Sequence, residues 1–507
     1  MTEILLLADQ PFQLNIFAQV ARNLSMQNLQ VKILLVDFFT FIYGKKYILE
    51  MEQLSKCEIV TAEEIFRKWQ VKKLSPMPSD YDTYLNKWNE QYCGLRNVNT
   101  LLATDIYTNN FERKKMMQSI SPEWIKRVHY DTLKWCETVF FKYSPKNIFA
   151  ISLNLLPTNA IYELACSSKV PFYNFLDSRV QSRWIMRNDL GYGMSNDLQS
   201  SIFSADYNPI TDFEVEEYLR GYRKSVSGSY VSGAEEIIDK FSKQQSSFGR
   251  ALKYLIIELS SWCHTSFNMI LKGKSTRNFK VRRLDQSFIK LTLFEFNRRI
   301  RPYFLNHSRI FIKKIDNHNR YFYWGLHDRP EGSGLVLGDG KDEILELEFC
   351  ARNLPIGYKL LVKENPLIFG LRDRNFYRKL SQIPNVILIH PFLNSKLIFP
   401  KVKCVVGLSG TVLLEASLLG VPAWAFGKPE FLPILVGSGR DNFIHFCRNL
   451  EIDKIDMSDI NLRVKKYLKF IFDNSTSKDL SLSGNNDQNQ MKNNIERITE
   501  LILLKVL

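Results

Sequence analysis

The residues best suited to chemistry gather at the ends of apolar runs between positions 321 and 431. The densest group lies in residues 402–426, VKCVVGLSGTVLLEASLLGVPAWAF. An apolar run at 402–406 opens into Gly407, Ser409, Gly410 and Thr411. A helical stretch at 412–419 follows at once and stops at Gly420, and a second apolar run spans 422–426. Strand, Gly/Ser/Thr turn and helix start together present backbone N–H groups and the positive end of a helix dipole to an anion. The turn therefore predicts a site for a phosphate or diphosphate, read here as that of a nucleotide-sugar.

Other polar residues fall at comparable places. His327, Asp328 and Glu331 stand between the apolar run YFYWGL (321–326) and a Gly-rich loop reaching Gly340. For His327 a satisfied structural ring and a site residue are both open. Glu331 is either a ligand-binding or catalytic carboxylate or the cap of the Gly-rich loop. Lys363, Glu364 and Asn365 close the run at 358–362, and Glu415 lies one turn into the 412–419 helix. Arg179 and Arg183, four apart after the run at 171–176, point the same way and fit an anion contact or structural ion pairs. Asp9 closes the first run of the chain. A departing phosphate needs its growing charge neutralised, a task for the helix start, Thr411 and Lys363. An acceptor hydroxyl needs a base, or the reacting carbon a carboxylate nucleophile, for which Asp328, Glu331, Glu364 and Asp9 are candidates. The Asp80-x-Asp82 pair sits in a Pro-rich stretch (Pro76, Pro78) and reads as turn and capping chemistry rather than a metal site. No metal is expected.

The elements that would position these groups alternate between strand and helix. Residues 3–8, 12–24 and 31–38 form a β-α-β unit, which argues for a parallel sheet. Its first turn lacks G-x-G-x-x-G, so no resident dinucleotide cofactor is expected. A helix at 50–59 with a strand, a capped helix at 61–69 (Thr61, Glu64), mainly helical residues 88–141, a strand at 147–153, a helix at 159–167 and a strand at 171–176 complete a first domain, 1–210. Residues 190–212 read as a polar loop. A helical basic region, 211–318, connects to a second domain, 319–472, with strands at 321–326, 358–362, 386–389, 402–406 and 422–426. The loop 427–441 is placed to fold over a nucleotide. Residues 473–494 read as a low-complexity linker, and 495–507 as an amphipathic helix that docks on the first domain or touches the bilayer.

With 507 residues, 45% apolar and 24% charged, the chain has the composition of a two-domain globular protein. No uncharged apolar run reaches about 18 residues, the length of a span. The start MTEILLLADQ reads as a core strand rather than a secretory signal. Eight scattered cysteines with no C-x-x-C pair fit reduced thiols, and the expected location is cytoplasmic. The net charge of +15 is concentrated: residues 272–314 hold thirteen Lys/Arg against Asp285 and Glu295, a net of +11. Such a block suits an anionic glycan or lipid-linked acceptor, or the inner face of a membrane, where residues 288–304 with Arg298, Arg299 and Arg301 would lie. A solvated helical face explains the same charges. No nucleic-acid reader motif is present, and no nucleic-acid partner is expected.

YWGLHDRPEGSG (323–334), YKLLVKENP (358–366), FYRKLSQIPNVILIHP (376–391) and VVGLSGTVLLEASLLGVPAWAFG (405–427) resemble, in their order and spacing, the bacterial capsule polysaccharide and surface-carbohydrate biosynthesis family, which includes capsular Kdo transferases. The loop with Arg179 is similar to that family's basic loop. The resemblance covers roughly 110 residues. It implies an α/β, GT-B-like fold of two Rossmann-like domains facing a central cleft, and metal-independent sugar transfer from a nucleotide-sugar to a capsular or other surface acceptor. It implies that Ser409, Gly410 and Thr411 hold the donor phosphate, that Glu415 binds ribose or sugar hydroxyls, and that Lys363 and Glu364 line the cleft. The family's Glu-His-Pro is here Glu364-Asn365-Pro366, so the phosphate-contacting histidine is replaced, with His390 or His327 as substitutes. The alternatives are a non-catalytic assembly partner that keeps the fold and a nucleotide-sugar 2-epimerase.

Overall fold

The computed structural model describes residues 3–8, 11–36, 44–61, 78–94, 97–103, 122–151, 155–181, 183–188, 196–225, 248–249, 252–253, 255–257, 260, 300–316, 320–327, 337–338, 341–370, 372, 374–448, 455–476 and 488–507. The first lobe runs β1 (Ile4–Ala8), α1 (Pro11–Ser25), β2 (Val31–Leu35), α2 (Gly44–Ser55), β3 (Ile59–Thr61), α3 (Tyr81–Tyr92), α4 (Val98–Ala103), α5 (Pro122–Tyr143), β4 (Asn147–Ala150), α6 (Leu156–Ser167), β5 (Phe172–Asp177) and β6 (Trp184–Arg187). Helices α7 (Asn196–Ser204) and α8 (Phe213–Lys224) follow. The second lobe runs β7 (Tyr321–Gly325), α9 (Glu343–Asn353), β8 (Lys359–Lys363), α10 (Arg374–Gln382), β9 (Val386–Ile389), α11 (Ser395–Ile398), β10 (Cys404–Gly407), α12 (Thr411–Leu418), β11 (Ala423–Ala425), β12 (Gly437–Ser438) and α13 (Arg440–Arg448). The chain closes with α14 (Met457–Asn474), β13 (Ser475–Thr476) and α15 (Gln488–Val506).

The central strands β1, β4, β7 and β10 are short runs buried on both faces, the pattern that helices on either side of a parallel sheet require. The first has the order β13-β6-β5-β4-β1-β2-β3, with β5, β4, β1, β2 and β3 parallel and β6 and β13 antiparallel at one edge. The second has the order β12-β11-β10-β7-β8-β9 and every pairing is parallel. From β9 to β12 its strands therefore stand third, second, first, fourth, fifth, sixth in chain order, the doubly wound Rossmann arrangement, and the order reverses between β7 and β10. One side of this sheet packs Trp324, stacked on Phe426 at 5.7 Å, with Phe443 and Tyr377. The other packs Tyr323, Leu361 and Val405 beneath α12. The protein is thus α/β with two Rossmann-like, parallel-sheet domains, as the sequence predicts.

The two sheets meet by their carboxyl edges. Arg179, just past β5, pairs with Glu430, past β11, at 3.0 Å. Apolar residues from the first half (Val180, Ile185, Ile202, Val215, Leu219) share one core with Ile460, Val464 and Leu468 of α14. The chain then returns: β13 joins the first sheet, and Ile495, Ile498 and Ile502 of α15 are buried with α1. Of the two readings for the terminal helix, it docks on the first lobe.

Several boundaries differ from expectation. The polar composition of residues 190–212 predicts a loop, yet 196–204 is helical, because Ile202 is buried in the core shared with α14 and Lys466 donates to the Phe203 carbonyl. Thr61 ends strand β3 instead of capping a helix, and 62–70 lie outside the described residues. Helix α6 starts at Leu156, three residues early, with Pro157 in its first turn where a missing N–H costs nothing. The linker reading of 473–494 misses β13 and the first residues of α15. Most of the basic connecting region, 226–299, lies outside the described residues.

Gly427 locks the second lobe's loops together: an added Cβ would stand 2.5 Å from the Leu337 carbonyl oxygen and 2.9 Å from that of Leu408. Gly427→Ala is expected to cost about 1–3 kcal/mol, the usual range for overpacking. Gly221→Ala, at an open position inside α8, should instead gain about 0.5–1 kcal/mol. Chemical-denaturation midpoints of the two variants check both signs.

Candidate functional site

The site forms where the strand order of the second sheet reverses. In open α/β sheets, ligands occupy the crevice outside the carboxyl ends at this point. His327 follows β7 there, and Ser409, Gly410 and Thr411 follow β10. Gly410 is the N-cap of α12 with extended dihedrals and offers no side-chain oxygen to the opening amides. Gly410, Thr411 and Val412 are half-buried, whereas Ser409 beneath them is buried. The absence of a side chain at Gly410 also makes room for His327, whose Nε2 would stand 3.0 Å from an added Cβ.

His327 is fixed from behind. Its Nδ1 lies 2.7 Å from Glu343 Oε1, and its backbone N–H donates to the same oxygen at 2.9 Å. Facing a carboxylate, Nδ1 carries the proton, which leaves Nε2 as the variable position, with no hydrogen-bond partner among the described residues. The ring is buried, yet one nitrogen is directed at a helix N-terminus. A histidine oriented by a carboxylate is the arrangement of a general base, and its protonated form is an anion ligand.

Glu343 is itself held by charge. Arg372 places Nη2 3.8 Å from Glu343 Oε2 and Nε 2.9 Å from Glu364 Oε2, and Nη2 donates to the His327 carbonyl at 2.6 Å. Glu364 also accepts from the Tyr377 hydroxyl at 2.8 Å and the Asn365 amide at 2.8 Å. Burial pushes the Glu364 carboxyl up to about 7 against the opposing pull of Arg372. Between 4.5 and 7 the folded state therefore holds more protons than the unfolded one, and this group lowers stability as pH rises through that window.

Lys363 and Glu415 lie on the α12 side of the sheet. Lys363 Nζ donates to Ser395 Oγ at 2.9 Å, and burial draws its ammonium down to about 8, partly offset by Glu415. Tyr218 and Tyr222 of α8 reach the same region: burial, and then the Glu415 charge, raise both phenols. His390, after β9, is drawn down to about 4 by burial and by the charges of Lys313 and Lys363.

The sequence-predicted residues are thus only partly gathered. His327, Ser409, Gly410 and Thr411 come together at the reversal point, with Lys363 and Glu415 on the flank of α12. The resemblance places Glu364 along the cleft; in the structure it is buried, paired with Arg372 and accepting from the Tyr377 hydroxyl. Asn365 accepts from the Leu367 amide at 3.0 Å and caps a turn at 366–368, so the residue standing for the family's histidine is engaged with backbone. Arg183 pairs with Glu214 at 2.7 Å and donates to Ser475, and Arg179 is paired with Glu430, so both take the ion-pairing reading. Asp9, Asp328 and Glu331 lie outside the described residues. Sequence reasoning missed Glu343, Arg372 and Tyr377. Glu343 resembles an ordinary acidic first turn, preceded by the N-cap Asp342. No described group of His, Cys, Asp or Glu is arranged to hold a metal.

No protein-family model matches the chain, and no curated protein matches it. Solved structures do. The UDP-GlcNAc 2-epimerase of Neisseria meningitidis, bound to UDP-GlcNAc, is 13% identical, covers 99% of this chain and 100% of its own, and has a TM-score of 0.25. A glycosyltransferase of Rickettsia africae is 11% identical over 99% of this chain and 98% of its own, with a TM-score of 0.25. Anabaena HepE, in complex with UDP and glucose, is 8% identical over 99% and 100%, with a TM-score of 0.26. These are distant similarities, and the reading of the site rests on this chain's own residues.

Removing Arg372 would leave two buried carboxylates facing each other. Arg372→Met is expected to destabilise the protein by about 3–5 kcal/mol near pH 8. Without the guanidinium the Glu364 carboxyl, already raised by burial, loses the opposing pull that lowered it, so its cost is present at high pH and disappears as it protonates. Denaturant melts of variant and wild type should therefore converge from pH 8 toward pH 5.

Proposed function

We propose that the protein is a glycosyltransferase that takes a sugar from a nucleotide-activated donor, with the donor phosphates held at the start of α12. The observation that carries the reading is His327 Nε2: a buried nitrogen with no described partner, beside a side-chain-free helix N-cap, at the reversal point of a doubly wound sheet. The opening amides of α12 and the Thr411 hydroxyl bind phosphate oxygens, and Lys363 adds charge from the flank. His327, oriented by Glu343, either donates Nε2–H to the leaving phosphate or takes the proton of the acceptor hydroxyl. The meeting of the two carboxyl edges at Arg179–Glu430 supports an acceptor entering from the first lobe. A capsular or other surface glycan, free or lipid-linked, is the proposed acceptor, on the strength of the resemblance and the +11 segment.

Titration calorimetry with UDP, GDP, CDP and dTDP tests the site. One of them should bind, and at a hundredfold excess over its Kd should raise stability by about 2.7 kcal/mol. Thr411→Ala combined with Lys363→Ala should weaken binding by about tenfold or more, as loss of a charge-assisted contact implies. Because the free ammonium titrates near 8, wild-type affinity should fall from pH 7 to pH 9.5, and Lys363→Met should flatten that fall. Unchanged affinity in the double variant refutes the phosphate assignment. Incubation of the full chain with the bound nucleotide-sugar alone separates transfer from epimerisation, since only an epimerase converts the donor without an acceptor.

A further inference from the structure

We infer that Tyr222 of α8 is a specificity-determining residue of the donor subsite, where its hydroxyl hydrogen-bonds a ring hydroxyl of the bound nucleotide-sugar beside Glu415. This contact presupposes that the site holds a nucleotide-sugar, as proposed for it. Helix α8 lies outside the segments that carry the family resemblance, which implies a role for Glu415 but none for Tyr222. The helix precedes the connecting region, yet it is strapped to the second lobe. Arg223 donates from Nε to the Leu418 carbonyl at 2.9 Å and from Nη2 to Asn461 at 2.8 Å. Lys396 donates to the carbonyls of Tyr222 and Ser225 at 3.2 and 3.3 Å, and its ammonium stands 3.9 Å from the centre of the Tyr222 ring. Tyr218 and Tyr222, four apart, share one face of α8, with ring centres 6.0 Å apart, and pack on the core that holds Leu413, Leu414 and Ala416 of α12.

Around Glu415 polar groups converge without closing on one another. Burial raises the phenols of Tyr218 and Tyr222, and the Glu415 charge raises them further; burial lowers the Lys363 ammonium, and the same charge opposes it. All three groups are thus close to the carboxylate, yet none of them is hydrogen-bonded or ion-paired to it. The Tyr222 hydroxyl is shielded from water and has no hydrogen-bond partner among the described residues. Lys363 uses one of its three N–H groups, on Ser395 Oγ at 2.9 Å, and the Tyr323 hydroxyl lies 3.3 Å from the same oxygen. Lys363, Ser395, Thr411, Tyr218 and Tyr222 are each half-buried and keep part of their surface in water. Polar groups that are near but do not touch leave room for a bridging oxygen.

The chemistry of the gap selects its occupant. Tyr222 and Lys363 have protons to give, and Glu415 has oxygens that accept. A phosphate oxygen only accepts, and the carboxylate would repel it. A sugar hydroxyl does both: it accepts from the phenol or the ammonium and donates to the carboxylate. Glu415 lies one turn after Thr411 on the same face of α12, about 5.4 Å along the axis. A phosphate on the opening amides therefore sets the adjoining ring at Glu415. That ring is the ribose or the transferred sugar, which offer the same hydroxyl chemistry.

Tyr222→Phe removes the hydroxyl and keeps the ring with its Lys396 contact. The test is titration calorimetry of the full chain, wild type and variant, with UDP, GDP, CDP and dTDP and with the glucose conjugate of each. The variant should bind about three- to tenfold more weakly, the range of one neutral hydrogen bond. Weakening shared by nucleotide and conjugate assigns the contact to the ribose, and weakening confined to the conjugate assigns it to the transferred sugar; either supports it. Without ligand the variant should melt at or above the wild-type temperature, because no bond inside the protein is lost. Equal affinity of variant and wild type for every ligand that binds, or an unliganded variant that melts several degrees lower, would overturn the contact and leave the donor reading standing. A wild type that binds none of these ligands would overturn both.

Discussion

One guanidinium holds the second lobe's chemistry in place. Arg372 lies between two buried carboxylates, Glu343 and Glu364, that would otherwise repel each other in a medium where an unpaired charge costs several kcal/mol. Each carboxylate then orders a different part of the fold. Glu343 fixes the ring and backbone of His327 at the end of β7; Glu364 takes Tyr377 from α10 and the amide of Asn365 after β8. The ends of two adjacent strands and the helix between β8 and β9 are therefore tied to a single cation. The direction of His327 Nε2 follows from this arrangement and not from the β7 strand alone.

That direction matters because of what stands opposite. Gly410 serves twice over: as an N-cap with no side chain to occupy the opening amides of α12, and as the residue that gives the imidazole most room. A Cβ here would stand 3.0 Å from His327 Nε2, so the ring would have to give by a few tenths of an ångström, and a longer side chain would enter the space in front of the helix start. The histidine, the N-cap and the strand reversal are thus one constraint seen from three elements. The same logic explains why the sequence places glycine and small hydroxyl residues here and large apolar residues immediately before and after.

Much of this was legible in the sequence, and the reasons are physical. Strand runs such as 402–406 and 422–426 are buried on both faces, so they stand out without alternation, and a Gly/Ser/Thr turn between strand and helix has few other uses. The fold class and the α12 turn followed from those signals. The inward carboxylates did not. Glu343 and Glu364 look like any acidic residues at an element's start or end, and only three-dimensional packing shows that both face Arg372. Helix α7 was hidden by its Asn/Ser composition, because Ile202 acquires its apolar partners from α14, more than 250 residues later. Arg179 and Arg183 carried two readings for the same reason: their partners, Glu430 and Glu214, are not neighbours in the chain.

The return of the chain to the first lobe sets how the two lobes are able to move. Helix α14 packs on both halves, with Lys466 and Lys469 bound to the Phe203 carbonyl and to Asp212, and its end feeds β13 into the first sheet beside β6. Arg183 ties that junction, reaching Ser475 and Glu214 while stacked over Phe472. The Arg179–Glu430 pair at the strand ends is as well shielded as these, since Glu430 is about as buried as Asp212 in its pair with Lys469. The lobes are therefore joined on both sides: at the strand ends by Arg179 and Glu430, and at the α14–β13 junction by Arg183, Lys466 and Lys469. An opening between the carboxyl edges has to break the Arg179–Glu430 contact, and the shared core of α7, α8 and α14 opposes it.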